Sequence, residues 1–279
     1  MKRILLLVLI LCAPVWAANI FTGDPNCKAL YDFEGIQSVA ITDKIGGNDM
    51  GMPDPTPGAQ FSTTTYKEAA QSLECLSGVN SDILYATDAS LDAGFPCSNG
   101  ESLTSFSVCV WVRFDSVPDA YASDAIFAKW NSIFAGSFRL AVYTDAIDSS
   151  IRFQHYDTGT RSYDHASAVV AGRWYHIGLS YNVADDGYVI RIWDDTAGAI
   201  LGTDKTGTLV SSPTAANNPW CIAVQDGNWG SILDGWLDEL VVFNDVLTTD
   251  EIDQIRSGTY GAPTGPIEGN AFMSTYNPN

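Results

Sequence analysis

The stretch 235–258, GWLDELVVFNDVLTTDEIDQIRSG, joins one alternating strand to one short capped helix, and it constrains the fold of this chain more than any other segment. Trp236, Leu237, Leu240, Val241, Val242 and Phe243 supply β-branched and aromatic bulk. Asp238 and Glu239 lie within that run, and adjacent positions of a regular strand send two such carboxylates to opposite faces. Thr248 followed by Glu251 makes a capping box, Ile252 and Ile255 share a helix face, and Gly258 can stop the helix. A strand that hands over to a single helix near the end of the chain implies an all-β body with one helical appendage.

The body is written in strand periods. The segment 106–114, FSVCVWVRF, is apolar on both faces, which predicts a central strand buried between two layers. Short strands are expected at 28–34, 124–130, 138–143, 151–156, 174–181, 188–193, 199–201, 220–224 and 236–243, bounded by Gly, Asp or Ser. Between two of them, 182–187 ends in Asp186-Gly187 and reads as a hairpin turn. Many short strands with almost no helical periodicity predict a two-sheet antiparallel sandwich.

Residues 1–17 combine a basic start, an apolar run and small or aliphatic residues at Val15 and Ala17, the pattern of a secretory signal cut after Ala17. No later apolar run is long enough to span a bilayer, so membrane insertion is not expected. One domain is expected over 18–260, followed by a flexible Gly/Pro-rich tail over 261–279. With 33 Asp plus Glu against 14 Lys plus Arg, the surface repels phosphate backbones and excludes nucleic acid as a partner. Beyond the signal stand Cys27, Cys75, Cys97, Cys109 and Cys221, which in an exported chain allow two disulfides and one leftover thiol in any of about fifteen pairings. Cys109 and Cys221 sit inside hydrophobic strands and read as buried thiols instead.

An ordered set of segments carries a family resemblance: Leu30-Tyr31-Asp32-Phe33-Glu34-Gly35, the loop 43–51, FSVCVWVRF, Ile126-Phe127-Ala128-Lys129, Gly172-Arg173-Trp174-Tyr175-His176-Ile177, Tyr188-Val189-Ile190-Arg191-Ile192-Trp193, and the closing strand and helix. Over 28–258 the chain resembles the laminin G-like branch of the concanavalin A-like lectin/glucanase superfamily. The resemblance implies a curved jelly roll with one short C-terminal helix. It departs from the pattern at 194–198, where relatives have a tight Asn-Gly turn. Related domains hold calcium where the first strand, the following loop and an Asp of the closing strand meet, which places Asp238 in that role by position. Calcium takes six to eight oxygens from carboxylates and carbonyls, so Asp32, Asp43 and the Gly46 carbonyl are the expected further ligands.

Carbohydrate is the expected partner, because sugar rings stack their C–H faces on indole or phenol and their hydroxyls need Asp, Asn or backbone partners. Asp226, Asn228 and Trp229 share one polar loop, and Trp130 stands beside Asn131. Trp111, Trp174 and Trp193 lie in hydrophobic strands and are expected to pack inside, as is His176. A retaining glycosidase needs two carboxylates about 5–5.5 Å apart on one strand face. No Glu-x-Asp-x-x-Glu or Glu-x-Asp-x-Glu run is present, nor a Gly-x-Ser-x-Gly elbow, so no catalytic residue is assigned. The expectation is a secreted, calcium-stabilised, non-catalytic module that binds an extracellular polysaccharide or glycoprotein. The alternative is a structural or adhesive cell-surface protein that assembles with itself, and a polysaccharide-degrading enzyme ranks third.

Overall fold

A computed structural model describes residues 19–35, 40–51, 60–76, 84–130, 137–226 and 231–261. The expected signal segment, most of the expected tail, and Asn228 and Trp229 lie outside them.

Among the described residues, two antiparallel sheets and one α-helix make up the fold, as a jelly-roll sandwich requires. In the first sheet the order is β14 (Ala199–Ile200), β13 (Gly187–Asp194), β12 (Trp174–Asn182), β7 (Phe106–Phe114), β17 (Gly235–Phe243), β5 (Ser72–Cys75) and β4 (Gln60–Ser62). To this sheet β1 (Cys27–Tyr31) adds beside β17, and β15 (Lys205–Thr208) beside β13. The second sheet runs β11 (Thr160–Ala168), β10 (Ser149–Tyr156), β9 (Phe138–Thr144), β8 (Ser123–Lys129), β16 (Trp220–Ile222), β6 (Leu84–Ala86), β3 (Met50–Gly51) and β2 (Ala40–Ile41). As its apolar run requires, β7 is central, paired on one side with β12 and on the other with β17.

The core lies between the sheets. Val108, Val110 and Val112 of β7 meet Leu140 and Val142 of β9, Ile151 and Phe153 of β10, and Trp220. On the outer face of the first sheet, α1 (Thr249–Arg256) covers Cys109, Val241 and Phe243 with Ile252 and Ile255. The Thr248/Glu251 capping box is formed, and Gly258 adopts the positive φ (70°) of a helix stop. The helix approaches closest at Gly178, where an added Cβ would stand 2.5 Å from Ile252 Cγ2.

Three sequence expectations are corrected. Asp238 and Glu239 do not face apart: β17 carries an extra residue against β7 between Asp238 and Val241, and Glu239 takes φ 41°. Leu237 and Leu240 both enter the core, so the two carboxylates between them share the outer face. Cys27, Cys75, Cys97, Cys109 and Cys221 are free and buried rather than disulfide-bonded. They are distributed among three apolar clusters: Cys75 and Cys97 between the sheets, Cys27 and Cys109 under the helix, Cys221 outside the second sheet. Finally, Trp111, Trp174 and Trp193 alternate with core residues and so stand on the outer face of the first sheet, where Trp111 is buried as expected but Trp174 and Trp193 are only half-buried, while Trp220 fills the core. At 194–198, Asp194 accepts from the Ala197 and Gly198 N–H groups, and the hairpin from β13 to β14 closes on that carboxylate and carbonyl.

Candidate functional site

Strand alternation puts a polar surface on the outside of the second sheet. Phe138, Leu140 and Val142 point into the core, which leaves Arg139, Ala141 and Tyr143 outside; Ile151 and Phe153 do the same for Arg152 and Gln154. Registration then builds two rows across the strands. Ser162, Gln154, Arg139 and Ala128 form one, and Asp164, Arg152 and Ala141 form the next.

Arg139 organises the first row. Its Nε donates to Gln154 Oε1, Nη1 to Gln225 Oε1 and Nη2 to Ser123 Oγ, while the guanidinium lies 5.5 Å from the Trp130 ring centroid. Burial and the nearby Arg152 charge hold its pKa down at about 10, and the Asp226 carboxylate partly offsets this. Trp130 also meets Tyr156 edge to face at 6.3 Å. One of the expected ligand residues, Trp130, is thus brought to the guanidinium, and a second, Asp226, acts on it through its charge.

The second row is the more accessible. Arg152 grips Asp164 through two nitrogens and lies 3.3 Å from the Tyr143 ring centroid. A cavity of about 180 Å³ opens beside Tyr143, Ser150 and Asp164. The surface therefore offers planar donors, amide and carboxylate acceptors and phenol or indole rings within one sheet face, a set that suits hydroxyl-rich ligands. Sequence reasoning missed Arg139, Arg152 and Gln154, whose signal was available as the polar half of two alternating strands.

The expected calcium ligands do not fit one ion. Asp43 accepts five hydrogen bonds, from the N–H groups of Leu30, Ile45, Gly46 and Asn48 and from Asn48 Nδ2, which saturate its oxygens. Of Gly46 it is the N–H, not the carbonyl expected as a ligand, that meets this carboxylate. Asp32 pairs with Lys44 at 3.4 Å and accepts from Glu34 N. Asp238 is engaged elsewhere: one oxygen accepts from Lys67 N and Glu68 N, both at 2.8 Å, and the other has no partner among the described residues. Among the described residues no group of three His, Cys, Asp or Glu side chains is placed to hold a metal ion. Burial, with repulsion from Glu239 and Glu68, pushes Asp238 up to about 8. Glu239 is raised to about 7 by burial and by Glu68 and Asp32, against the hydrogen bond from Asn19.

His176 is buried against Trp111, and burial with the Arg256 charge lowers its pKa to about 3, so it is a neutral packed ring.

Residues 92–253 match the family model described as the concanavalin A-like lectin/glucanases superfamily. No curated protein matches the chain. Among solved structures, domain 4 of AbnA, an extracellular arabinanase from Geobacillus stearothermophilus in complex with arabinotriose, aligns at 17% identity and TM-score 0.53, covering 82% of this chain and 98% of that one. The binding domain of Paraclostridial Mosquitocidal Protein 1 aligns at 12% identity and TM-score 0.57, covering 82% of this chain and 51% of that one. The binding domain of botulinum neurotoxin serotype G aligns at 12% identity and TM-score 0.54, covering 82% and 50%. At these identities the likeness is one of fold.

Proposed function

Because the chain belongs to the laminin G-like branch of the concanavalin A-like lectin/glucanases superfamily, we propose that it is a secreted, non-catalytic module whose second sheet binds an extracellular carbohydrate or glycoprotein. The observation that carries this reading is the polar outer face of the second sheet, where Arg152, Asp164 and Tyr143 are the accessible groups and the buried Arg139, held on Trp130 and Gln154, supports them from the next row. Paired donors and acceptors for hydroxyls stand on one rigid sheet face, and with Arg139 over Trp130 and Arg152 over Tyr143 the recognition is polar rather than by stacking. The arabinotriose complex of a structurally similar domain supports the same ligand class.

The non-catalytic part rests on access. Asp238 and Glu239 share a face, but Asp238 is 1% exposed beneath the loop that supplies the Lys67 and Glu68 N–H groups. A general acid must reach the glycosidic oxygen. Export rests on the N-terminal segment, and its cleavage after Ala17 is read by N-terminal sequencing of material from the medium.

Glycan-array binding tests the proposal. The protein should retain specific glycans, and Trp130→Phe and Arg152→Ala should each weaken the best of them at least about tenfold, or roughly 1.4 kcal/mol, with unchanged melting. Silence of the unmodified protein across the array would reject carbohydrate as the ligand.

A further inference from the structure

A second row of side chains crosses the outer face of the first sheet, on the opposite side of the molecule from Arg139. Trp193, His176, Trp111 and Asp238 stand in register across β13, β12, β7 and β17. Above it, Lys67, Glu68, Asp195, Arg256 and Ser257 enclose, with Trp111, a cavity of about 600 Å³.

One buried polar atom of the cavity lining has no hydrogen-bond partner among the described residues: the donor Trp111 Nε1, in a residue 2% exposed. Asp238, beside it in register, stands beneath the wall, where its Oδ2 takes the N–H groups of Lys67 and Glu68, two residues of that wall. A buried donor without a partner is costly, so a group that supplies a lone pair is favoured here.

The charges around the cavity select the ligand class. Lys67 pairs with Asp195 at 2.8 Å and Arg256 with Asp253 at 3.5 Å. The same two cations lie 4.6 Å from the Trp111 centroid and 3.9 Å from that of Trp193, and so occupy the ring faces a cationic ligand would use. Glu68 and the C-terminal end of α1 disfavour an anion. A neutral ligand rich in hydroxyls remains, and with the ring faces covered it is recognised through polar contacts rather than stacking.

We propose that this cavity is a second binding site, for a neutral polyhydroxylated ring such as a single sugar residue, with a hydroxyl accepting from Trp111 Nε1 and another donating to Glu68. The volume far exceeds the ~30 Å³ share of one water molecule. Because it lies on the other sheet, it stands or falls apart from the site around Arg139.

Indole N–H resonances report both sites separately. The protein is titrated with the methyl glycosides of glucose, galactose and arabinose to about 50 mM, past the millimolar Kd expected of a single-ring site. At least one should give a saturable shift of the Trp111 resonance, assigned by its loss in Trp111→Phe. Glu68→Gln should weaken that response at least about tenfold while any Trp130 response keeps its own curve. Should Trp111→Phe fail to fold, through-space contact with the Lys67 side chain assigns the resonance. A Trp111 signal that stays fixed with all three glycosides, or drifts without saturating, overturns the second site even if Trp130 responds.

Discussion

Asp238 shows what one bulged residue can do. The extra residue at Glu239 sets two carboxylates on one face, and burial then makes ionisation of Asp238 expensive, with its pKa pushed up to about 8. A folded-state pKa above the unfolded value of about 3.9 means that this group's stabilisation is full below pH ~4 and lost as pH rises through about 8. Glu239 and Asp124, each raised to about 7, act in the same sense. Melting temperature should therefore fall between pH 5 and pH 8.5, and Asp238→Asn should flatten that slope by about 2–4 °C for each kcal/mol removed. Asparagine keeps an oxygen for the Lys67 and Glu68 N–H groups, so a variant whose pH profile matches the parent would show that Asp238 is ionised throughout. The sequence named Asp238 as special but not why, because Trp236 to Phe243 satisfies the strand pattern and the slip is visible only in pairing with Trp111 and Cys109.

At the scale of elements, the apolar strands and the helix were legible, since β7, β9, β10, β12, β13 and β17 each pair alternation or full apolarity with a turn signal. Thr160–Ala168 was not: it is an edge strand with most side chains exposed, so no hydrophobic period marks it, although it supplies Ser162 and Asp164 to the candidate site. The helix shows how an element is seated once formed. Gly178 lets Ile252 reach the sheet, and a Cβ there would meet Cγ2, Cδ1 and Cγ1 of Ile252 at 2.5, 2.9 and 3.0 Å, more than one rotamer change can clear. Gly178→Ala should cost roughly 1–3 kcal/mol in urea unfolding through overpacking. An unchanged midpoint would mean that α1 does not press on β12.

For the whole molecule the governing quantity is a net charge of −19, carried on a sandwich whose family resemblance led to the expectation of calcium. The expected ligands are already engaged: Asp43 holds its own turn together through five hydrogen bonds, Asp32 pairs with Lys44, and Asp238 takes the Lys67 and Glu68 N–H groups, with burial raising its pKa. Two effects of added cation then separate by concentration and identity. Screening of self-repulsion depends on ionic strength alone and grows as the Debye length shrinks from about 30 Å at 0.01 M to about 8 Å at 0.15 M. A built site would instead saturate at low concentration and prefer calcium to magnesium. Melting temperature should rise with sodium chloride, and calcium and magnesium at matched ionic strength should give the same curve, with chelator making no difference. A calcium-specific rise at sub-millimolar concentration, absent with magnesium, would place an ion in the fold and require the Asp43 turn or the Asp238 cluster to rearrange around it.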